Sequence, residues 1–485
     1  MNRIMRGYIL TLALALLTLS VRGEVIVYPA GQGLEKMDDY SLRVRQYPQG
    51  DWKSVDIYPV KVDEVVEAAH SVRIASMAYF DFDGEIEVEV VSRRLKVSEA
   101  RVRPLSYGIV PEVSGDTLRF ILDSPKNLSI EINGDIFHNL HLFANPIDDK
   151  RPSAKEIKKD KKLIYFSPGV HKLPGDTLRI SSNMTVYVDG GAWVQGTLIA
   201  DGVENVRFFG RGEIHPKGRG EGIYIKRSKN IEAEGVIVTQ IPVGGSDDVK
   251  IRNVKSISSY GWGDGMNIFA SSNVEYDGVF CRNSDDCSTI YATRKGFVGG
   301  CKNIVMKNST LWADVAHPIM IGLHGSATEI GPDAPADTIT NIEYKNIDIL
   351  DHAERQIDYQ GCFGINCGDN NIVENVRFDN IRVEDFRQGQ LVNIRIFYNQ
   401  KYCAAPGTCV RNVLFKDITY TGKNSELSII AGYDENREVS DITFENLVIN
   451  GVRVYDDMQG KPKWYKTGDM ARIFIGEHVR NVVFK

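Results

Sequence analysis

A short phrase recurs along the second two-thirds of this chain, and it leaves few folds open. It runs Asn or Asp, Val or Ile, any residue, apolar, any residue, a turn former, apolar. Copies stand at NVRFFG (205), NIEAEGVIV (230), DVKIRNVKSI (248), NVEYDGVF (273) and NIVMKNSTL (303). Further copies follow at NIEYKNIDIL (341), NVRFDNIRV (375), NVLFKDITY (412), DITFENLVI (441) and NVVFK (481). The first copies lie 18 to 30 residues apart and the later ones 29 to 40. Short strands with period-2 alternation and Asn/Gly corners predict a parallel β-helix over residues 163–485. Equivalent asparagines can then hydrogen-bond along the stack while Val, Ile and Phe fill the bore. A leucine-rich horseshoe needs Leu-x-x-Leu-x-Leu, which is missing, and a propeller needs longer, even blades. The widening period predicts loops projecting from one side of the later turns.

Before the repeat the texture differs. Residues 24–147 hold short alternating runs such as EVIVYPA, SVRIASMAYF, GEIEVEVVS, DTLRFILD and NLSIEING, parted by turn residues. Such spacing predicts an N-terminal β-sandwich. The charged stretch 148–162, DDKRPSAKEIKKDKK, reads as a solvated linker. The whole is therefore expected to be all-β: a sandwich followed by the β-helix.

The first 23 residues carry Arg3 and Arg6 and then an apolar run from Tyr8 to Val21. That run falls short of the ~20 residues a membrane helix takes, and suits a secretory signal cleaved near Ser20 to Gly23. It holds no cysteine for a lipid anchor, and no later apolar run is long enough to cross a bilayer. A secreted or periplasmic protein is expected, with no membrane partner. A net charge of −6 speaks against nucleic acid as the partner. The seven cysteines are Cys281, Cys287, Cys301, Cys362, Cys367, Cys403 and Cys409. Export permits disulfides, and Cys362/Cys367 and Cys403/Cys409 are candidate loop staples. Their spacing lacks the paired C-x2-C of a zinc site, so no metal is expected.

The chemistry gathers between Trp262 and Gly325. Asp264 sits in a Gly-Asp-Gly, and Asp285-Asp286 follow 21 residues later in a Ser-Asp-Asp-Cys. One such motif alone is ordinarily a turn. Two of them, one repeat apart, are expected to stack on one face, because successive turns of a β-helix lie ~4.8 Å apart. Clustered carboxyls repel, which keeps one protonated, and glycosidic hydrolysis needs one acid and one base. Adjacent strand residues point to opposite faces, so Asp285 and Asp286 can share a cleft only at a bend. His317 in DVAHPIMIGLHG follows one long turn later and can tune a carboxylate, with His324 behind it. Trp262 and Tyr291 are candidate platforms for the apolar face of a sugar.

Taken together, G-D-G, S-D-D-C and H-P-I-M-I-G resemble the right-handed β-helix glycoside hydrolases of the polygalacturonase and dextranase/isopullulanase clan. The Asp-Asp pair matches as Asp285-Asp286, while Gly263-Asp264-Gly265 stands where polygalacturonases carry Asn-Thr-Asp-Gly. Their Gly-His-Gly is absent, with Ala316-His317-Pro318 in its approximate place, and Asn393-Ile394-Arg395 only weakly matches their uronate-gripping Arg-Ile-Lys. The dextranase branch is the more similar, through its preceding sandwich and segments like YFSPGVHKL (165–173) and HPIMIGLHG. The resemblance implies a right-handed coil and inverting hydrolysis of an α-glycosidic bond in a poly- or oligosaccharide. It casts Asp285 as general acid and Asp264 with Asp286 as the water-activating carboxylates, with no cofactor. Two other classes stay open at this point: a polysaccharide lyase, for which only Arg282 offers a nearby basic group, and a non-catalytic carbohydrate-binding β-helix.

Overall fold

A computed structural model describes residues 23–67 and 69–485; the expected signal segment lies outside them except for Gly23. Two antiparallel-rich sheets come first. One contains Val25–Val27, Tyr58–Val66, Ala69–Phe82, Ala100–Arg103, Lys126–Ile132 and Asp135–Pro146; the other contains Tyr40–Gln46, Lys53–Val55, Ile86–Ser92, Glu112–Ser114 and Thr117–Leu122. They face each other across one apolar cluster, to which the first sheet gives Phe80, Ile130 and Leu142 and the second Val44, Val88 and Leu118. This is a sandwich. The long strand Ala69–Phe82 is covered on both sides from Ala75 on. Ala78, Phe80 and Phe82 face the sandwich core, whereas Ala75, Met77 and Tyr79 pack on Ile237, Ile257 and Phe280 of the second half. Its sequence therefore reads as a near-continuous apolar run.

The stretch 148–162 is only partly free. It contains a short exposed helix, Ala154–Lys159, closed by a Ser153–Glu156 capping box. Before it, Asp148 accepts from the Tyr187 hydroxyl at 2.8 Å and Arg151 pairs with Asp189 at 2.9 Å.

From Leu163 on, 28 strands join one continuous sheet in which coil strands pair in parallel with the second or third strand after them. That is a parallel β-helix. Its corners explain the recurring phrase. Asn205, Asn230, Asn273, Asn303, Asn341, Asn375 and Asn412 all take left-handed backbone angles, φ 53 to 58°, which Asn tolerates better than most residues. Their side chains then pass hydrogen bonds from rung to rung: Asn303 donates to Asn273 at 2.9 Å and Asn341 to Asn303 at 3.1 Å. A second column at the next corner joins Asn308, Asn346 and Asn380. Inside the bore, Phe378, Phe415, Phe444 and Phe484 stack with ring centroids 4.7 to 4.8 Å apart.

The expected disulfides are absent: all seven cysteines are free thiols. Cys362 and Cys367 bound the strand Phe363–Cys367, and an extended backbone sets residues five apart ~16 Å from each other. A disulfide closes only within ~7 Å between Cα atoms. Cys403 instead points its thiol at the Leu323 carbonyl, 3.4 Å away.

Candidate active site

Three successive rungs turn from one face of the coil to the next, just before the strands Met266–Phe269, Ser288–Tyr291 and Ile319–Ile321. Met266 pairs with Ser288 and Ser288 with Ile319. Asp264, Asp286 and His317 each stand two residues before those partners, so they occupy one position on consecutive rungs. Asp285 lies one residue earlier, in the bend that separates the strands Phe280–Asn283 and Ser288–Tyr291. That bend is what lets neighbouring aspartates share a site. Backbone bonds lock the three turns together: Gly265 N–H donates to the Asp286 carbonyl and Cys287 N–H to the His317 carbonyl, both at 2.8 Å. The two glycines beside Asp264 are explained by crowding. A Cβ on Gly263 would sit 2.3 Å from Ser284 Oγ, and one on Gly265 would sit 2.5 Å from Asn283 Oδ1.

The three carboxyls are differently furnished. Asp264 Oδ2 accepts from Asn267 Nδ2 at 2.8 Å. Asp285 accepts from the backbone N–H of Trp262 and of Asp286, each at 3.1 Å. Asp286 is buried, and its oxygens face the Tyr291 hydroxyl at 3.0 Å, the His317 backbone N–H at 3.1 Å and His317 Nδ1 at 2.7 Å. Burial and then the charge of Asp286 push Asp264 up to about 6. Burial, followed by the charges of Asp264 and Asp286, holds Asp285 well above the usual carboxylate range. Closely spaced buried carboxyls thus hold protons to higher pH than isolated ones.

His317 is fully buried, and its other nitrogen, Nε2, lies 2.5 Å from the Tyr359 carbonyl oxygen. A carbonyl only accepts, so Nε2 carries a hydrogen while Nδ1 faces a carboxylate. Burial works against the imidazolium, but Asp286's charge and hydrogen bond outweigh it, and the pKa is raised. We expect His317→Ala to destabilise the fold by ~1–3 kcal/mol, because it strands a buried carboxylate that has lost a hydrogen-bond partner. An unchanged midpoint in denaturant unfolding would show that the Asp286–His317 contact holds nothing in place. Tyr291 is buried against these groups, and His324 meets its ring edge-on at 4.9 Å. Burial, then the charge of Arg294, drops His324 to about 3, so it is neutral. Trp262 is 77% exposed at the rim, with the Arg219 guanidinium 5.0 Å above its ring. All seven residues singled out from the sequence thus fall in one neighbourhood.

Several participants carry no sequence signal. Asn267 and Tyr359 look ordinary in a chain rich in both. The sandwich adds Asp63, whose Oδ2 accepts from Gly261 N–H at 3.1 Å and lies 2.5 Å from His70 Nδ1. This clamp holds Tyr260, Gly261 and Trp262, which all take positive φ (79, 68 and 47°). Such strain persists only where surroundings over-determine it, and here a separate domain does so. The loops between the later rungs crowd the far side, where Tyr359 stacks on Tyr402 at 4.7 Å.

No family model matches the chain, and no curated protein matches it. Among solved structures, a Family 28 exopolygalacturonase of Yersinia enterocolitica aligns with a TM-score of 0.46 and 12% identity, covering 87% of this chain and 98% of that one. An endo-xylogalacturonan hydrolase of Aspergillus tubingensis aligns at 0.36 and 14%, covering 65% and 87%. Both superpositions are too loose to argue from. Dex49A from Penicillium minioluteum is closer, at a TM-score of 0.63 and 12% identity, with 95% of this chain and 96% of that one covered. At that identity the likeness speaks for the fold alone: this chain follows the path of Dex49A over nearly its whole length.

Proposed function

We propose that this protein is an exported inverting glycoside hydrolase that cleaves α-glycosidic bonds of a poly- or oligosaccharide. The observation that carries the reading is the gathering of Asp264, Asp285 and Asp286 on consecutive turns, where burial and neighbouring charge raise Asp264 and Asp285. Asp285, with its strongly raised pKa, is the general acid that protonates the leaving oxygen. Asp264 and Asp286 orient and deprotonate the attacking water, with Asp286 fixed by His317 and Tyr291. Inverting enzymes leave ~6.5–9.5 Å between acid and base for that water; a one-rung offset plus one residue along the chain sets the backbone positions of Asp264 and Asp285 ~5.8 Å apart, and the direction of the two side chains sets the rest. Trp262 offers its exposed ring to a sugar face, with Tyr291 and His324 lining the site behind the carboxylates. Export rests on the N-terminal leader, and a periplasmic or extracellular site of action follows from it. The likeness to Dex49A supports the fold on which this chemistry is proposed to run.

A lyase would need a free basic catalyst here. Arg282, the nearest basic residue in the sequence, is fully buried in an ion pair with Asp314, which counts against that class. The test is reducing-sugar release from dextran, pullulan, homogalacturonan and rhamnogalacturonan, with proton NMR of the first product formed. Release with inverted anomeric configuration is expected from one polymer. Retained configuration would refute the inverting assignment, and unsaturated ultraviolet-absorbing products would replace hydrolysis with elimination.

A further inference from the structure

A cavity of about 910 Å³ opens beside the carboxylate cluster, between the sandwich and the early rungs. It reaches Gly263, the residue before Asp264, so a chain bound across the aspartates would enter it. One wall is the sandwich strand that carries Tyr58 and Lys61; the opposite wall bears Trp193, Glu213, His215, Lys217 and Arg219. Charge in it is unbalanced. Lys61, Lys217 and Arg219 lie within ion-pair distance of no carboxylate among the described residues, although the chain as a whole is acidic. Arg219 is instead placed over Trp262 and Tyr260, at 5.0 and 5.9 Å. The nearest acid of the floor, Glu213, contacts His215 at 3.5 Å and not a cation. Burial pushes Glu213 up to about 7, so much of it is neutral at physiological pH. His215, which lines the cavity with Lys61, is lowered to about 4 by burial and then by the charge of Lys61. A second acid, Glu35, lines the cavity and is exposed to solvent.

We propose that this cavity is a subsite for a negatively charged sugar residue of the substrate, whose anionic group is received by Lys61, Lys217 and Arg219. Two sources share that chemistry, a uronate carboxylate and a sulfate ester. Unpaired cations beside aromatic rings suit either: the charges meet the anion while Tyr260 and Trp262 take the ring face. The inference rests on the hydrolase reading above and narrows its substrate to an acidic glycan. It also makes the N-terminal sandwich part of the substrate cleft, through Lys61.

The test separates binding from turnover. Asp285→Asn protein is titrated calorimetrically with oligogalacturonides, sulfated oligosaccharides and neutral isomalto-oligosaccharides. The same titrations are made with Lys61→Gln, Lys217→Gln and Arg219→Gln added, and with the charge-retaining Lys61→Arg and Lys217→Arg pair. One anionic series should bind, weakening as salt rises, and the charge-removing changes should cost it at least ~30-fold. The arginine pair should keep the affinity, and circular dichroism should show all variants folded. Which series binds identifies carboxylate or sulfate. Neutral oligosaccharides binding as tightly as anionic ones, or affinity indifferent to the three cations, would overturn the proposal. Anionic binding through these residues without hydrolysis by the wild type would leave the subsite standing and sink the hydrolase reading.

Discussion

Replacing Asp285 with Asn is expected to remove glycoside hydrolysis and to make the protein more heat-stable above neutral pH. An amide cannot donate the proton the leaving oxygen needs, so kcat should fall by ~10³-fold or more, within the usual range for a general acid. The stability gain follows from linkage. Asp264 is raised from 3.8 to about 6, and Asp285 is held well above the usual carboxylate range by burial and by its two carboxylate neighbours. Between the unfolded value near 3.8 and these folded values, the native state binds more protons than the unfolded chain. Stability therefore declines as pH climbs through that window, and above it the native state carries the full repulsion. Asn at 285 deletes one of the charges. The thermal midpoint should rise by ~1–3 °C at pH 8 and change little at pH 4. Calorimetry at both pH values, beside an activity assay, decides it. A variant with normal turnover, or one less stable at pH 8 than at pH 4 by the wild-type margin, would show that the three carboxyls do not form the proposed unit.

The largest stability loss should come from Arg282→Met. Arg282 Nε and Nη2 reach Asp314 at 2.9 and 3.1 Å, with neither side chain exposed. Its remaining nitrogen, Nη1, crosses to the sandwich, 2.9 Å from Asn139 Oδ1 and 3.0 Å from His141 Nε2. Trp312 lies 4.2 Å beneath the guanidinium. Removing the cation strands Asp314, which burial already raises and Arg282 holds down. Arg387, 3.8 Å off, compensates in part. Breaking a buried pair this way costs ~3–5 kcal/mol. Denaturant unfolding should show that loss, and Arg282→Met with Asp314→Leu should recover a substantial fraction. A single-variant cost under ~1 kcal/mol would mean that the pair does not join the two domains energetically.

Most of the coil was readable before any coordinates, for a reason visible at Asn273, Asn303 and Asn341. Each rung must reverse direction at a corner that only a few residue types enter cheaply, so the corner prints its period in the sequence. The carboxylate site was readable for the same reason, since Asp264 and Asp286 keep one offset from paired strands. What lay beyond reading was everything the sandwich brings. Asp63 and His70 stand some 200 residues before the loop they clamp, on two paired strands whose alternation reports burial and nothing else. The cysteines misled because closeness in sequence within a strand means separation in space. Arg282 looked like a candidate base only because its ion-pair partner, Asp314, sits on the following rung.

One consequence of the stacked turns concerns how such a cluster could change. Asp264, Asp286 and His317 share a single register, so the distances among them are set by the pitch of the backbone. Exchanging Asp for Glu moves a carboxyl by a single carbon–carbon bond, whereas moving it to the neighbouring turn moves it by ~4.8 Å. Side-chain length thus trims the distances in this cluster by about an ångström, whereas only relocation to another coil changes them by several.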